Sequence, residues 1–102
     1  MGWKVIIAPS AQADLEGIVR YIARCNPDAA VRVGNELILR AESLATFPDR
    51  GRVVPEFGQR DLREVIHRTY RVIYRVNKNT EAVEIVRFWH AARGFPQIPM
   101  TR

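Results

Sequence analysis

Hydrophobic spacing changes once along this chain, and that change limits the available folds more than any other feature. From Ala11 to Arg24 the apolar residues Leu15, Ile18, Val19 and Ile22 recur at three- and four-residue steps. Residues 28–46 repeat the pattern with Ala30, Val33, Leu37, Ala41 and Leu44. Each set is one face of an amphipathic helix. Later in the chain the spacing is two. In "YRVIYRV", Tyr70, Val72, Tyr74 and Val76 alternate with Arg71, Ile73 and Arg75. Alternation of that kind suits a strand whose two faces meet different surroundings.

Local signals set the boundaries. Residues 2–8, "GWKVIIA", are apolar and β-branched and predict a first strand, which Pro9 and Ser10 end. Ser10 is a candidate N-cap, because its hydroxyl can take an orphan amide of the first turn. Asn26-Pro27 separates the helices: proline is tolerated at a first helical position, and asparagine caps well. Two helices joined so tightly form an antiparallel hairpin with both stripes toward one core. Residues 47–61, "FPDRGRVVPEFGQRD", hold two prolines and two glycines and read as a long connection without regular structure. Three strands follow at Leu62–Arg68, Tyr70–Val76 and Ala82–Trp89, with a turn at Asn77–Thr80 and an irregular tail from about residue 94.

These elements predict one α+β domain over residues 1–102: an N-terminal strand, a helical hairpin, then a three-stranded antiparallel segment. A chain of 102 residues is one domain. The hairpin covers one face of a four-stranded sheet, and nothing remains in the chain to cover the other. Tyr70, Val72, Tyr74 and Val76 then lie beneath the helices, while Arg71, Ile73 and Arg75 point out of a bare face. A one-residue slip would reverse that assignment.

Composition narrows the function. No segment reads as a signal peptide or approaches the roughly 20 apolar residues of a membrane helix. The lone Cys25 excludes an internal disulfide and suits a reducing cytoplasm. His67, His90 and Cys25 have no metal-ligand spacing, so neither a metal nor another cofactor is expected. Net charge is +5, and fourteen of the sixteen basic residues are arginine. An excess of planar guanidinium groups favours a nucleic acid or an acidic protein as partner, although codon usage can produce the same ratio.

The bare face is the candidate site. Arg71 and Arg75 are two pleats apart on one strand, with Arg63 and either Arg87 or His90 as neighbours depending on register. They form either an anion site able to stabilise a phosphodiester or a solvated face paired with Glu64 and Glu84. Arg50 and Arg52 flank Gly51 in "DRGR" and make either a basic finger or a solvated turn. His90, near Arg93 at the end of the last strand, and His67 are the candidate proton-transfer groups, or structural residues.

The ordered set "ADLEGIVRYI" (13–22), "NPDAA" (26–30), "LATFPDRGR" (44–52), "LREV" (62–65), "YRVIYRV" (70–76) and "VEIVRFWHAAR" (83–93) resembles the RelE/ParE superfamily of type II toxin–antitoxin and plasmid-stabilisation modules. The resemblance spans about residues 3–95. It implies the RelE-like fold, with helices on one face of the sheet, and a cognate antitoxin, usually encoded alongside, in a hetero-oligomer. It also implies one of two activities. RelE-like members cut messenger RNA on the ribosome without a metal; ParE-like members bind DNA gyrase and block replication.

Within the resemblance, Arg71 matches the position where RelE-like toxins hold the scissile phosphate, and Arg93 falls near a second such arginine. The strand carrying lysines in RelE-like enzymes reads "LREVIH" here, with Glu64 among its residues. No tyrosine follows Tyr74 to complete a RelE-like site. The "WHAAR" ending is closer to the ParE-like branch. The expectation is therefore gyrase inhibition, with a ribosome-dependent endonuclease using Arg71, Arg93 and His90 as the alternative. A non-toxic nucleic-acid-binding module is the third reading.

Overall fold

The computed structural model describes residues 2–99. Its elements run β1 (Lys4–Ile7), α1 (Pro9–Ala23), α2 (Pro27–Glu42), a 3-10 turn at Ser43–Ala45, β2 (Arg52–Val53), β3 (Leu62–His67), β4 (Tyr70–Asn77), β5 (Ala82–His90) and a second 3-10 turn at Ala91–Arg93. The sheet is mixed and five-stranded, ordered β1-β5-β4-β3-β2, with β1 parallel to β5 and the other pairs antiparallel. The α+β architecture is the expected one, but the strand count is five instead of four. The extra strand, β2, comes from the segment read as wholly irregular and pairs Arg52 with Glu64 and Val53 with Arg63.

The helical hairpin starts as its residues dictate at one end only. Asn26 caps α2, its side chain accepting from the Ala29 amide at 3.0 Å, and Pro27 opens the helix. Helix α1 begins at Pro9 after Ala8, with no side-chain cap, so the capping role read for Ser10 is corrected. Its hydroxyl donates instead to the Val86 carbonyl at 2.7 Å. One helical turn on, the Asp14 carboxylate accepts from the Phe88 amide at 3.1 Å. Strand β1 stops opposite Ile85, and α1 continues along the edge of β5 that β1 leaves open. Ser10 and Asp14, four residues apart and hence on one helix face, serve backbone groups that would otherwise be orphaned.

Beneath the helices, Leu37, Ala41 and Leu44 pack with Val65, Val72, Tyr74, Val76, Val83, Ile85 and Phe88. The even positions of β4 therefore face inward, as alternation predicts. Strand β5 breaks that rule. Ile73 pairs with Arg87 but Tyr74 pairs with Ile85, so Val86 is an extra residue. The bulge flips the alternation: Val83 and Ile85 point inward before it, Phe88 after it.

The other face is not bare, and that expectation is corrected. Ile73 is completely buried, and it packs with Leu62, Val86, Trp89 and Val54 in a second apolar cluster joined by Ile98. Two segments outside regular structure cover this outer face: the turn around 54–58 and the tail at 94–99. Counting only helices and strands left these segments out.

Candidate functional site

The outer face gathers Arg52, Arg71, Arg75 and Arg87, each on a different strand or strand position facing away from the helices. Arg71 lies at its centre and is only 8% exposed. Its Nε donates to Glu64 Oε1 at 2.6 Å, and Nη1 and Nη2 donate to the two Glu56 oxygens at 2.7 Å each. The second Glu64 oxygen accepts from Arg52 Nε at 2.7 Å and forms an ion pair with Arg52 Nη2 at 2.7 Å. Glu64 is fully buried, so two guanidinium groups bridged by one carboxylate are what make its burial tolerable. The Arg71 fork holds the Glu56 carboxyl below the usual carboxylate range, and the two glutamates in turn raise the pKa of Arg71.

The remaining arginines are also engaged. Arg87 donates Nε and Nη2 to Asp14 at 2.7 Å each and Nη1 to the Gln97 carbonyl at 2.8 Å. Arg75 donates Nη2 to the Pro99 carbonyl at 2.7 Å. The Arg87 and Arg93 guanidinium groups lie 4.6 and 4.1 Å from the Trp89 ring centroid, while Trp89 Nε1 donates to the Gly94 carbonyl at 3.0 Å. The tail is thus fixed by three carbonyls and by Ile98.

Three expected members lie elsewhere. Register places Arg63 opposite Tyr74, on the helix side, where its Nη1 donates to the Gly51 carbonyl at 2.8 Å. Gly51 is wedged there: its amide donates to the Tyr74 hydroxyl at 2.8 Å, and a methyl group at Gly51 would collide with the Glu64 carbonyl. The "DRGR" segment is therefore pinned rather than free. Arg50 lies over the Phe47 ring at 5.5 Å, away from Arg71. His90 pairs with Tyr70 and so faces inward; its ring packs edge-on against Tyr70, and Nδ1 accepts from the Ala92 amide at 3.1 Å.

Sequence reasoning missed Glu56 and Asp14, the acids that occupy these arginines. Asp14 had a usable signal in its four-residue spacing from Ser10. Glu56 had none, since only tertiary folding carries its turn over β4. Among the described residues no cluster of three or more His, Cys, Asp or Glu is placed to hold a metal, and no helix is long and apolar enough to cross a membrane.

A second feature is an apolar groove of about 540 Å³ between α1 and the ends of β4 and β5. Ile18, Tyr21, Tyr70 and Phe88 line it together with Asp14, His90 and Arg93. A side chain at Gly17 would enter open space there. Burial, and secondarily the neighbouring Tyr21, push the Tyr70 hydroxyl pKa up.

Residues 5–95 match the family model described as the ParE toxin of the type II toxin–antitoxin system parDE. The chain is 42% identical over 84 residues to Toxin RelE2 of Caulobacter vibrioides, covering 81% of this chain and 89% of that one. Among solved structures, a chain of the chromosomal ParDE system of P. aeruginosa superposes with a TM-score of 0.72 at 18% identity, covering 86% of this chain and 95% of that one. A chain of the RelBE2 toxin–antitoxin complex of Mycobacterium tuberculosis gives 0.67 at 22% identity, covering 88% and 99%. These two likenesses concern the fold.

Proposed function

The chain belongs to the ParE toxin family of type II toxin–antitoxin systems, and from that premise we propose that it arrests growth by binding DNA gyrase, without hydrolysing anything itself. The observation that carries this reading is the state of Arg71. A nuclease of the RelE-like kind needs that guanidinium free to meet a phosphate as charge builds in the transition state. Here both edges of the fork are filled by carboxylates. His90, the proton-transfer candidate of the nuclease reading, is on the opposite side of the sheet with a ring nitrogen committed to Ala92. A binding toxin needs neither group.

The module would act in the cytoplasm, serve plasmid or chromosomal maintenance, and be held silent by a cognate antitoxin. The groove beside α1 suits the antitoxin. Its mainly apolar lining includes Arg93, His90 and an Asp14 already paired with Arg87, so it fits an amphipathic segment with an acidic residue to meet Arg93.

The test is a supercoiling assay with purified gyrase, run beside ribosome-programmed messenger RNA. Inhibited supercoiling with intact transcript is the expected outcome. Transcript cleavage with unaffected supercoiling would defeat the proposal. The ribonuclease remains the second reading because a relative 42% identical carries a RelE name. It requires that Arg71→Gln, in a folded protein, abolish toxicity; gyrase inhibition that survives this change agrees with the first reading.

A further inference from the structure

Arg71 lies in the middle of the sheet, yet the anion in its outward fork comes from an irregular turn. Glu56 belongs to a turn closed on itself by the Phe57 and Gly58 amides, which donate to the Val54 carbonyl at 3.2 and 3.0 Å. Among the described residues, 55–58 hydrogen-bond to the sheet only through Glu56. If Glu56 swings out, Glu64 alone faces the exposed Arg52 and the buried Arg71, leaving the outward edge of the Arg71 fork without an anion. That arrangement is unfavourable until another anion enters.

Beside the slot is an apolar cleft of about 580 Å³ between Phe57 on the turn and Phe95, Pro96 and Ile98 on the tail. Phe57 is 40% exposed and Phe95 is 78% exposed. Neither phenylalanine belongs to the outer apolar cluster, and both present ring surface to water beside the Glu56 carboxylate.

We propose that slot and cleft together are a docking site for an acidic segment of a partner protein. A glutamate or aspartate of that segment replaces Glu56 in the Arg71 fork, and an adjoining apolar side chain enters the cleft between Phe57 and Phe95. The fork already holds a carboxylate by two bonds of 2.7 Å, so the exchange keeps its geometry and local charge. The net charge of +5 attracts such a segment. Nucleic acid is the poorer occupant. A phosphate chain needs successive free cations, and Arg75 and Arg87 already donate to the tail and Asp14. The site does not depend on which target the toxin poisons. Glu56 acts as a tethered competitor, which lowers the unmodified chain's affinity for such a segment.

The experiment is fluorescence anisotropy with a capped peptide containing Leu-Glu-Leu, its Leu-Gln-Leu counterpart and a labelled single-stranded oligonucleotide. Glu56→Gln should tighten the glutamate peptide by about tenfold or more, the expected gain from removing a tethered competitor. The glutamine peptide should gain nothing, and Glu56→Gln with Arg71→Gln should lose the gain. Phe95→Ala should weaken the same peptide about fivefold, since alanine leaves the cleft open to water. If Glu56→Gln fails to fold, the unmodified protein still answers: the glutamate peptide must shift the Phe57 and Phe95 ring resonances. An unchanged affinity in folded Glu56→Gln, an equal gain for the glutamine peptide, a gain for the oligonucleotide alone, or no shift at either ring would each overturn the site.

Discussion

The two faces of one sheet are closed in different ways. The inner face meets a helical hairpin whose backbone is satisfied within itself, so it offers only side chains, and apolar ones suffice: Leu37, Ala41 and Leu44 meet Val72, Tyr74 and Phe88. The outer face meets a turn closed on itself and a tail whose Gly94, Gln97 and Pro99 carbonyls are taken by side chains of the sheet. Guanidinium groups suit that surface, because each can donate to a loop carbonyl and a carboxylate together, as Arg87 does with Gln97 and Asp14. Arginines at the middle of a small sheet therefore close a face that irregular backbone covers. They need not mark a surface open to substrate.

If that contrast is right, one inner side chain should outweigh whole segments outside. Leu37→Ala is expected to cost about 3–4 kcal/mol in urea unfolding, since Leu37 is fully buried between elements too rigid to close the cavity. Arg71→Met should cost less, about 2–3 kcal/mol, because Glu56 can turn to water and Glu64 keeps Arg52. Ending the chain after Gly94 removes Ile98 and the carbonyls that Arg75 and Arg87 use, yet should cost only about 1–2 kcal/mol. A truncation as costly as Leu37→Ala would show that the tail is part of the main core and would break the comparison.

The smallest effect is at the rim of the helix side. Glu36 on α2 accepts from Arg68 Nε at 2.8 Å and lies 3.0 Å from His67 Nε2. Arg68, and then His67, hold its carboxyl at about 2 against an ordinary 4.5. A depressed folded value means the contribution is complete above about 4.5 and is lost as pH falls toward 2. Thermal unfolding of Glu36→Gln should thus lie slightly below the unmodified protein at neutral pH, with the gap closing across that acidic window. A gap that is constant down to pH 2 would remove Glu36 as an ionised clasp.

Much of the fold was legible because period reports burial directly. Tyr70, Val72, Tyr74 and Val76 announced the inner side of β4, and Asn26-Pro27 announced the start of α2. Strand β5 was readable as a strand but not in its facing, since the bulge at Val86 reverses alternation and bulges leave no fixed residue signature. Arg71 and Arg75 were legible as a pair on one face, but not their state, and Arg63 belongs to the other face. Whether Arg71 is free depends on Glu56, fifteen positions away along the chain and in contact only after folding.

The sequence by itself determined the two stripes, the strand with unlike faces, the positive charge and the ordered motifs that place the chain among these toxins. Each is a local or compositional property, fixed by residue type and spacing. Tertiary structure alone decided that a turn and a tail lie over the second face, that His90 faces inward and that carboxylates fill the Arg71 fork. Those outcomes depend on where irregular segments come to rest. No periodicity specifies that position; it is set by which carbonyls and acids reach an arginine once the sheet has formed.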